Sequence, residues 1–415
     1  MKINQNKIEK LISDLCPNGV EFLELNDVCK NTPNIQWQDH PGETFQYIDL
    51  SSVDKITHKI SETQQINSEN APSRAQKVIK QGDVIFGTTR PTLKRFSIIR
   101  NDYDGQICST GFCLLRPDTS LVLTNYMFHI IGSISFCSYV EVNQKGASYP
   151  AISDKVIKQF KIPIPPLSIQ KEIVKILDNF TELEAELEAE LEARKEQYEY
   201  YRDELFQINK DVPMIKIDDL ADCRSGATPK TTMKEYWESG TIPWMSSGEV
   251  NYGIITKTEK KITQFGYDNS STKMVPPNTV TVALAGQGKT RGMVAITKIE
   301  LCTNQSLCSI ITNDKLNSQY LYYYLKSRYL DLRKISSGDG TRGGLNLSMI
   351  KTYEIPVPPL SEQERIVSIL DKFDVLVNDI SIGLPSELNA RRKQYEYYRE
   401  QLLTFPELKQ DKHDK

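Results

Sequence analysis

The chain has 415 residues, 39% of them apolar and 25% charged, an ordinary globular composition with room for two or more domains that have real cores. No apolar run approaches the ~20 residues that span a bilayer, which argues against a membrane protein. The eight cysteines are scattered; only Cys108/Cys113 and Cys302/Cys308 sit close together, neither pair at zinc-ligand spacing, so buried reduced thiols in the cytoplasm are expected. The net charge of −3 hides an uneven distribution: Thr181 to Ala193 holds six glutamates and no basic residue, and without them the balance turns positive. Basic residues gather between 77 and 100, where Lys77, Lys80, Arg90, Lys94, Arg95 and Arg100 face a single Asp83.

The N-terminal MKINQNKIEKLISDL lacks the apolar core of a signal peptide and reads as a short amphipathic helix. Short β-branched runs, turns and one or two helices follow as far as residue 160, the pattern of an α/β or α+β domain. Residues 162–180, IPIPPLSIQKEIVKILDNF, then introduce a unit that returns at 355–373 as IPVPPLSEQERIVSILDKF. Its prolines end the preceding element, and Ser168 and Ser361 are placed to cap a helix, Ser361 with Glu364 as a capping box. In the first copy Ile173, Leu177, Phe180, Leu187, Leu191, Tyr198, Tyr201 and Leu205 form a heptad-like stripe that passes through LEAELEAELEAR and ends in QYEYYR. A helix over residues 169–206 would be about 57 Å long at ~1.5 Å per residue, so it needs a partner along its length. The second copy supplies one in Ile366, Leu370, Phe373, Leu376, Ile380, Leu388, Tyr395, Tyr398 and Leu402, ending in the same QYEYYR, with Gly383-Leu384-Pro385 expected to break or kink it.

The segments ahead of each helix match weakly but in order: 45–54 with 242–251, 77–99 with 273–296, 125–131 with 320–326, and 146–153 with 343–350. The expected fold is therefore α/β: two similar mixed α/β domains with two long antiparallel, coiled-coil-like helices and an internal pseudo-twofold repeat. The expected bounds are 1–160 for the first domain, 161–208 for its helix, 209–353 for the second domain, 354–405 for its helix and 406–415 for a polar tail.

LAGQGKTRG at 284–292 resembles a phosphate loop, but Ala283 stands where the motif needs glycine and the next segment reads as a strand, so nucleotide binding is not expected. As a glycine-flanked loop it can still bring backbone and cations close to a polyanion. GTTRPTLKRF at 87–96 occupies the same place in the first half. These two loops name the DNA-facing candidates: Arg90, Lys94, Arg95, Gln287, Lys289, Thr290 and Arg291. The tyrosines at 320 and 322–324 read as core. No nucleophile elbow, histidine-rich metal motif, dinucleotide fingerprint or methyltransferase tetrad is present, so the chain reads as a binding and spacing device without catalysis of its own.

The repeated proline-led unit, the long helix ending in QYEYYR and the opening IEKLISDLCPNGVEF at 8–22 together resemble the specificity subunit of type I restriction–modification systems. The resemblance covers essentially the whole chain. It implies two target-recognition domains, each reading one half of a bipartite double-stranded DNA target, and two spacer helices that dock methyltransferase subunits and, through them, restriction subunits. On the repeated unit, Gln170, Ile173, Gln363, Ile366, Tyr198 and Tyr395 become candidate partner contacts. S-adenosylmethionine, ATP and Mg are implied on the partners, with none on this chain. Two alternatives share parts of this pattern: a DNA-binding protein without a motor partner, and a coiled-coil scaffold that binds protein or glycan.

On this reading the LEAE unit is a ruler. Four residues add about 6 Å of helix and turn it by roughly 400°, which nearly restores the seam. Deleting Leu187–Glu190 should shift the gap between half-sites by about one to two base pairs at ~3.4 Å per pair, with both half-sites unchanged. Mapping methylated sites checks this; an unchanged gap in an active complex would overturn it.

Overall fold

The computed structural model describes residues 10–207, 212–286, 290–336, 344–378 and 382–408. The chain divides into two compact units, one of Met1–Glu190 with Ser386–Lys415 and one of Leu191–Pro385. The division does not follow the sequence repeat: each unit combines one globular domain with parts of both repeated helical segments.

The globular part of the first unit has two four-stranded sheets and a short ribbon. One sheet has the order Cys29–Lys30, Phe112–Pro117, Val84–Gly87, Phe96–Ile98; the other runs Gln64–Ile66, Phe45–Ile48, Ile107–Ser109, Ala75–Val78. The second unit repeats the plan, with Ala221–Ser225, Leu307–Thr312, Val280–Ala283, Val294–Thr297 and an added Ile254–Ile255 in one sheet, and Lys260–Ile262, Ile242–Met245, Leu301–Thr303, Met274–Val275 in the other. Even the one parallel pairing in the second sheet of each unit recurs: Phe45–Ile48 with Ile107–Ser109, and Ile242–Met245 with Leu301–Thr303. The central strands are buried apolar runs such as VIF and VTVA, which suits sheets covered on both faces. The tyrosines at 320 and 322–324 are core, as the sequence indicated, and all eight cysteines are free thiols.

A helix of 39 residues, Leu167–Leu205, follows the first proline unit. The second helical segment comes in two described pieces, Leu360–Asn378 and Leu384–Leu402; Ile382 and Gly383 are not helical, and Pro385 of the expected Gly-Leu-Pro lies in a first helical turn, where its missing N–H costs nothing. Both proline-led helices start one residue before Ser168 and Ser361, and the carbonyls of Pro166 and Pro359 accept the first N–H bonds. Glu362 pairs with Arg365, and the expected serine caps lie inside the first turn. In the first unit Phe180 stacks on Tyr398, while Glu184 and Glu188 both bind Arg392, so the two helices there run antiparallel. In the second unit Tyr198 and Tyr201 pack on Phe373.

The repeated glutamine ties each helix to its domain. Gln170 donates to the carbonyls of Leu121 (2.8 Å) and Pro165 (2.9 Å) and accepts from Leu123 N–H (2.9 Å). Gln363 does the same with Lys315 (3.1 Å), Pro358 (2.9 Å) and Asn317 N–H (2.8 Å). Tyr126 and Tyr320 donate their hydroxyls to the carbonyls of Pro163 and Pro356, again as counterparts. The C-terminal segment is only partly the expected tail: Phe405 is buried, and Leu408 N–H and Val20 N–H bond to the Val20 and Pro406 carbonyls.

Gln170 and Gln363 are each 0% exposed. Replacing either with leucine leaves two carbonyls and one N–H without their partner in a dry place and should cost about 3 kcal/mol or more. Urea unfolding of Gln170→Leu and Gln363→Leu measures this; a loss under about 1 kcal/mol would mean that water replaces the amide.

Candidate nucleic-acid interface

In both units the basic loop joins the same two strands: residues 87–95 lie between Val84–Gly87 and Phe96–Ile98, and 284–292 between Val280–Ala283 and Val294–Thr297. The loop in the first unit is anchored at its base. Thr88 donates its N–H and its hydroxyl to the Gly111 carbonyl, both at 2.8 Å. A side chain at Gly87 would be crowded: a Cβ would lie 3.2 Å from the Arg95 carbonyl and from Leu50. A second loop, 145–151, closes on itself through paired N–H bonds between Lys145 and Ala151, both at 2.8 Å. It joins the first through Ile152 N–H to Thr88 (2.9 Å) and Arg90 N–H to Pro150 (2.7 Å). The buried Pro91 starts a single 3-10 turn, and the flanking Arg90 (φ 49°) and Lys94 (φ 53°) are both left-handed, a conformation that non-glycine residues adopt at a cost.

This backbone divides the candidates. Arg90 and Lys94 are exposed, as are Lys80 and Arg100 in the same stretch. Arg90 lies over the ring of Tyr149 with its guanidinium carbon 4.5 Å from the centroid. Arg95 is turned inward instead. Its Nη1 donates to the carbonyls of Leu50 (2.9 Å) and Val53 (2.5 Å), closing the turn at 50–53 against the hairpin. It is therefore removed from the DNA-facing set. Lys77 is likewise internal, held by Asp154 and the Phe112 carbonyl. The neighbouring His58 stacks on Phe96 at 3.8 Å; burial first, then the Arg399 and Lys94 charges, push it down to about 4, so it is neutral near pH 7.

In the second unit Gln287 and Lys289 lie outside the described residues. Thr290 is half-buried and its carbonyl accepts from Met293 N–H (2.9 Å). Arg291 is half-buried as well, and its Nε has no hydrogen-bond partner among the described residues. Leu345 N–H bonds to Leu284 (3.0 Å), the counterpart of the link between Ile152 and Thr88.

The candidate partner contacts are corrected by burial. Gln170, Ile173, Gln363 and Ile366 are 0% exposed, so they offer no surface to another chain. Tyr198 is buried, and the Tyr395 hydroxyl bonds to His129 at 2.8 Å. The seam spacing already hinted at this for Ile173, Tyr198, Ile366 and Tyr395, which lie on the apolar stripe, whereas Gln170 and Gln363 are not part of it. Tyr149 was passed over because nothing in the sequence shows that its loop meets Arg90.

The family model for the type I restriction modification DNA specificity domain matches residues 17–193 and 209–390. The type I restriction enzyme EcoR124I/EcoR124II specificity subunit of Escherichia coli is 39% identical over 316 residues, 74% of this chain and 77% of its own length. A putative type I restriction enzyme specificity subunit of Haemophilus influenzae is 33% identical over 68% of this chain and 72% of its own. The fold matches a chain in a solved structure of type I restriction–modification complex assembly at TM-score 0.69, with 24% identity over 93% of this chain and 98% of that one. The chain belongs to the type I restriction–modification specificity subunits, proteins that recognise a DNA target. A protein- or glycan-binding scaffold is thereby set aside, and no helix among the described residues is long and apolar enough to cross a membrane.

Arg95→Met should lower the stability of the first unit by about 1–3 kcal/mol, because buried carbonyls lose their donor, and should leave the recognised sequence unchanged. Thermal unfolding and methylation mapping of the same variant test both halves. A changed recognition sequence at unchanged stability would return Arg95 to the DNA surface.

Proposed function

We propose that the chain reads a two-part DNA target, one part per unit, and carries two copies of one methyltransferase subunit, one on the exposed side of each copy of the repeated hexapeptide. What supports the partner reading is the portion of QYEYYR that the fold does not use. Tyr198 and Tyr395 pack inward; Arg202 and Arg399 lie over them at 5.8 and 5.0 Å. Gln197 and Gln394 accept from Arg194 and Arg391, while Tyr201 and Tyr398 stack on Phe373 and Phe180. Tyr200 and Tyr397 remain, 64% and 61% exposed, next to the exposed Glu199 and Glu396. Each makes a T-shaped contact with the next tyrosine and still keeps most of its surface open. The same exposed aromatic at the same place in both copies suits one partner bound twice, and tyrosine is among the residues that most often dominate interfaces. On this reading catalysis, with S-adenosylmethionine, ATP and Mg, belongs to the partners, and the complex works in the cytoplasm.

Tyr200→Ala and Tyr397→Ala should each weaken one methyltransferase copy by about tenfold or more, and the double variant both. Co-purification with subunit counting by native mass spectrometry checks this. Two copies kept at full affinity by the double variant would move the docking face elsewhere, and a wild-type chain that saturates with one copy would end the two-copy reading.

A further inference from the structure

Among the exposed cations of the first unit, Arg90 is paired with an aromatic face. Its partner Tyr149 is 70% exposed, a large surface for a ring held on a closed loop. Three features of the backbone fix the pair. Arg90 N–H is bonded to the Pro150 carbonyl, next in sequence to Tyr149. The tyrosine's loop turns at Gly146 (φ 102°), where a Cβ would lie 3.0 Å from the Tyr149 carbonyl. Arg90 itself is left-handed at φ 49°, a conformation that carries local strain, and its side chain is exposed. A solvated phosphate contact needs none of this, because an unconstrained lysine or arginine reaches a phosphate equally well.

We propose that Arg90 and Tyr149 act as one recognition element, the tyrosine ring holding the guanidinium flat and ready to donate two hydrogen bonds to the edge of one guanine in the half-site read by the first unit. The arginine fork matches the two acceptors that guanine presents in the major groove, O6 and N7, and no other base offers that pair. Stacking on a ring uses the face of the guanidinium and leaves its in-plane N–H groups directed outward. It also removes rotamers that a free arginine would lose on binding. Tyr149 is in this account a positioning residue. Lys80, Lys94 and Arg100, exposed in the same stretch, suit phosphates, which position the protein without reading sequence. This inference rests on the two-part reading proposed above and adds which residues read one base of one half.

The test uses the full chain assembled with its methyltransferase subunits. The recognised sequence is read by mapping methylated sites, and discrimination by competition between a site and its single-base variants at fixed salt. Arg90→Lys and Tyr149→Leu are each expected to lose about 10- to 100-fold discrimination at one and the same guanine, with the other half-site unaffected. Tyr149→Phe keeps the ring face and should keep wild-type discrimination. None of these changes alters charge, so the dependence of affinity on salt should stay as it is. The proposal is overturned by an unchanged base preference in Tyr149→Leu, by relaxation at different bases in the two variants, or by a loss that is uniform over all sequences. A Tyr149→Leu chain that fails to assemble would also count against it, because the tyrosine would then belong to the fold. If the wild-type complex recognises a single uninterrupted site, the two-part reading fails, whereas the shared guanine of Arg90 and Tyr149 can still be scored.

Discussion

The buried glutamine at the start of each repeated helix is the constraint on which the rest of each unit depends. A primary amide has two donors and an acceptor with two lone pairs, and here it meets carbonyls on both sides and one N–H in a dry site. In the first unit it joins residues 121–123, which lead into Thr124–Ile131, to Pro165 at the head of the long helix. Neither segment can slide without leaving polar groups unpaired, and that cost makes the junction stiff. The prolines around it remove competing backbone donors and fix the extended approach of the chain.

The elements around that junction are tied to it in the same way in both units. The helix start positions the short ribbon, Glu21–Glu24 with Lys161–Ile164 or Met214–Lys216 with Glu354–Pro356. The helices Thr124–Ile131 and Ser318–Ser327 pack on the sheets, burying Tyr126 and Tyr320 beneath carbonyls of the proline unit. The hairpins that carry the basic loops are strands of those same sheets. A loop that must present a side chain to a base edge needs such support, because a displacement of about 1 Å is enough to spoil paired hydrogen bonds.

Sequence alone reached the repeat, the helix interruption at Gly383, the fold class and the place of both basic loops, because each of these is written in local signals: prolines, turn residues and periodicity. It did not reach the division of labour among the cations. Arg95 and Arg90 look alike in GTTRPTLKRF, and only the tertiary turn at 50–53 captures one of them. The partner candidates failed for the opposite reason. Residues shared by the two copies were read as surface, yet Gln170, Ile173, Gln363 and Ile366 are shared because two interiors are built alike. Within one hexapeptide the same letter stands both inside and outside, and only burial separates Tyr198 and Tyr395 from the exposed Tyr200 and Tyr397.

The two interiors are alike in frame and different in wiring. Asp178 accepts from His129 (2.8 Å) and Asn125 (2.7 Å) in the first unit, and His129 continues to the Tyr395 hydroxyl. At the matching place in the second unit Tyr323 donates to Asp371 (2.7 Å), and the buried Tyr198 hydroxyl has no partner among the described residues. Burial holds His129 below its usual value against the opposing pull of Asp178, which favours a neutral ring with one N–H to give and one lone pair to receive. A neutral histidine can therefore bridge a carboxylate and a hydroxyl, whereas a tyrosine in its place satisfies the carboxylate alone. The repeated helices thus tolerate different neighbours as long as the aspartate receives a donor. That tolerance lets the globular parts diverge, and with them their basic loops, while the glutamine junction stays the same in both.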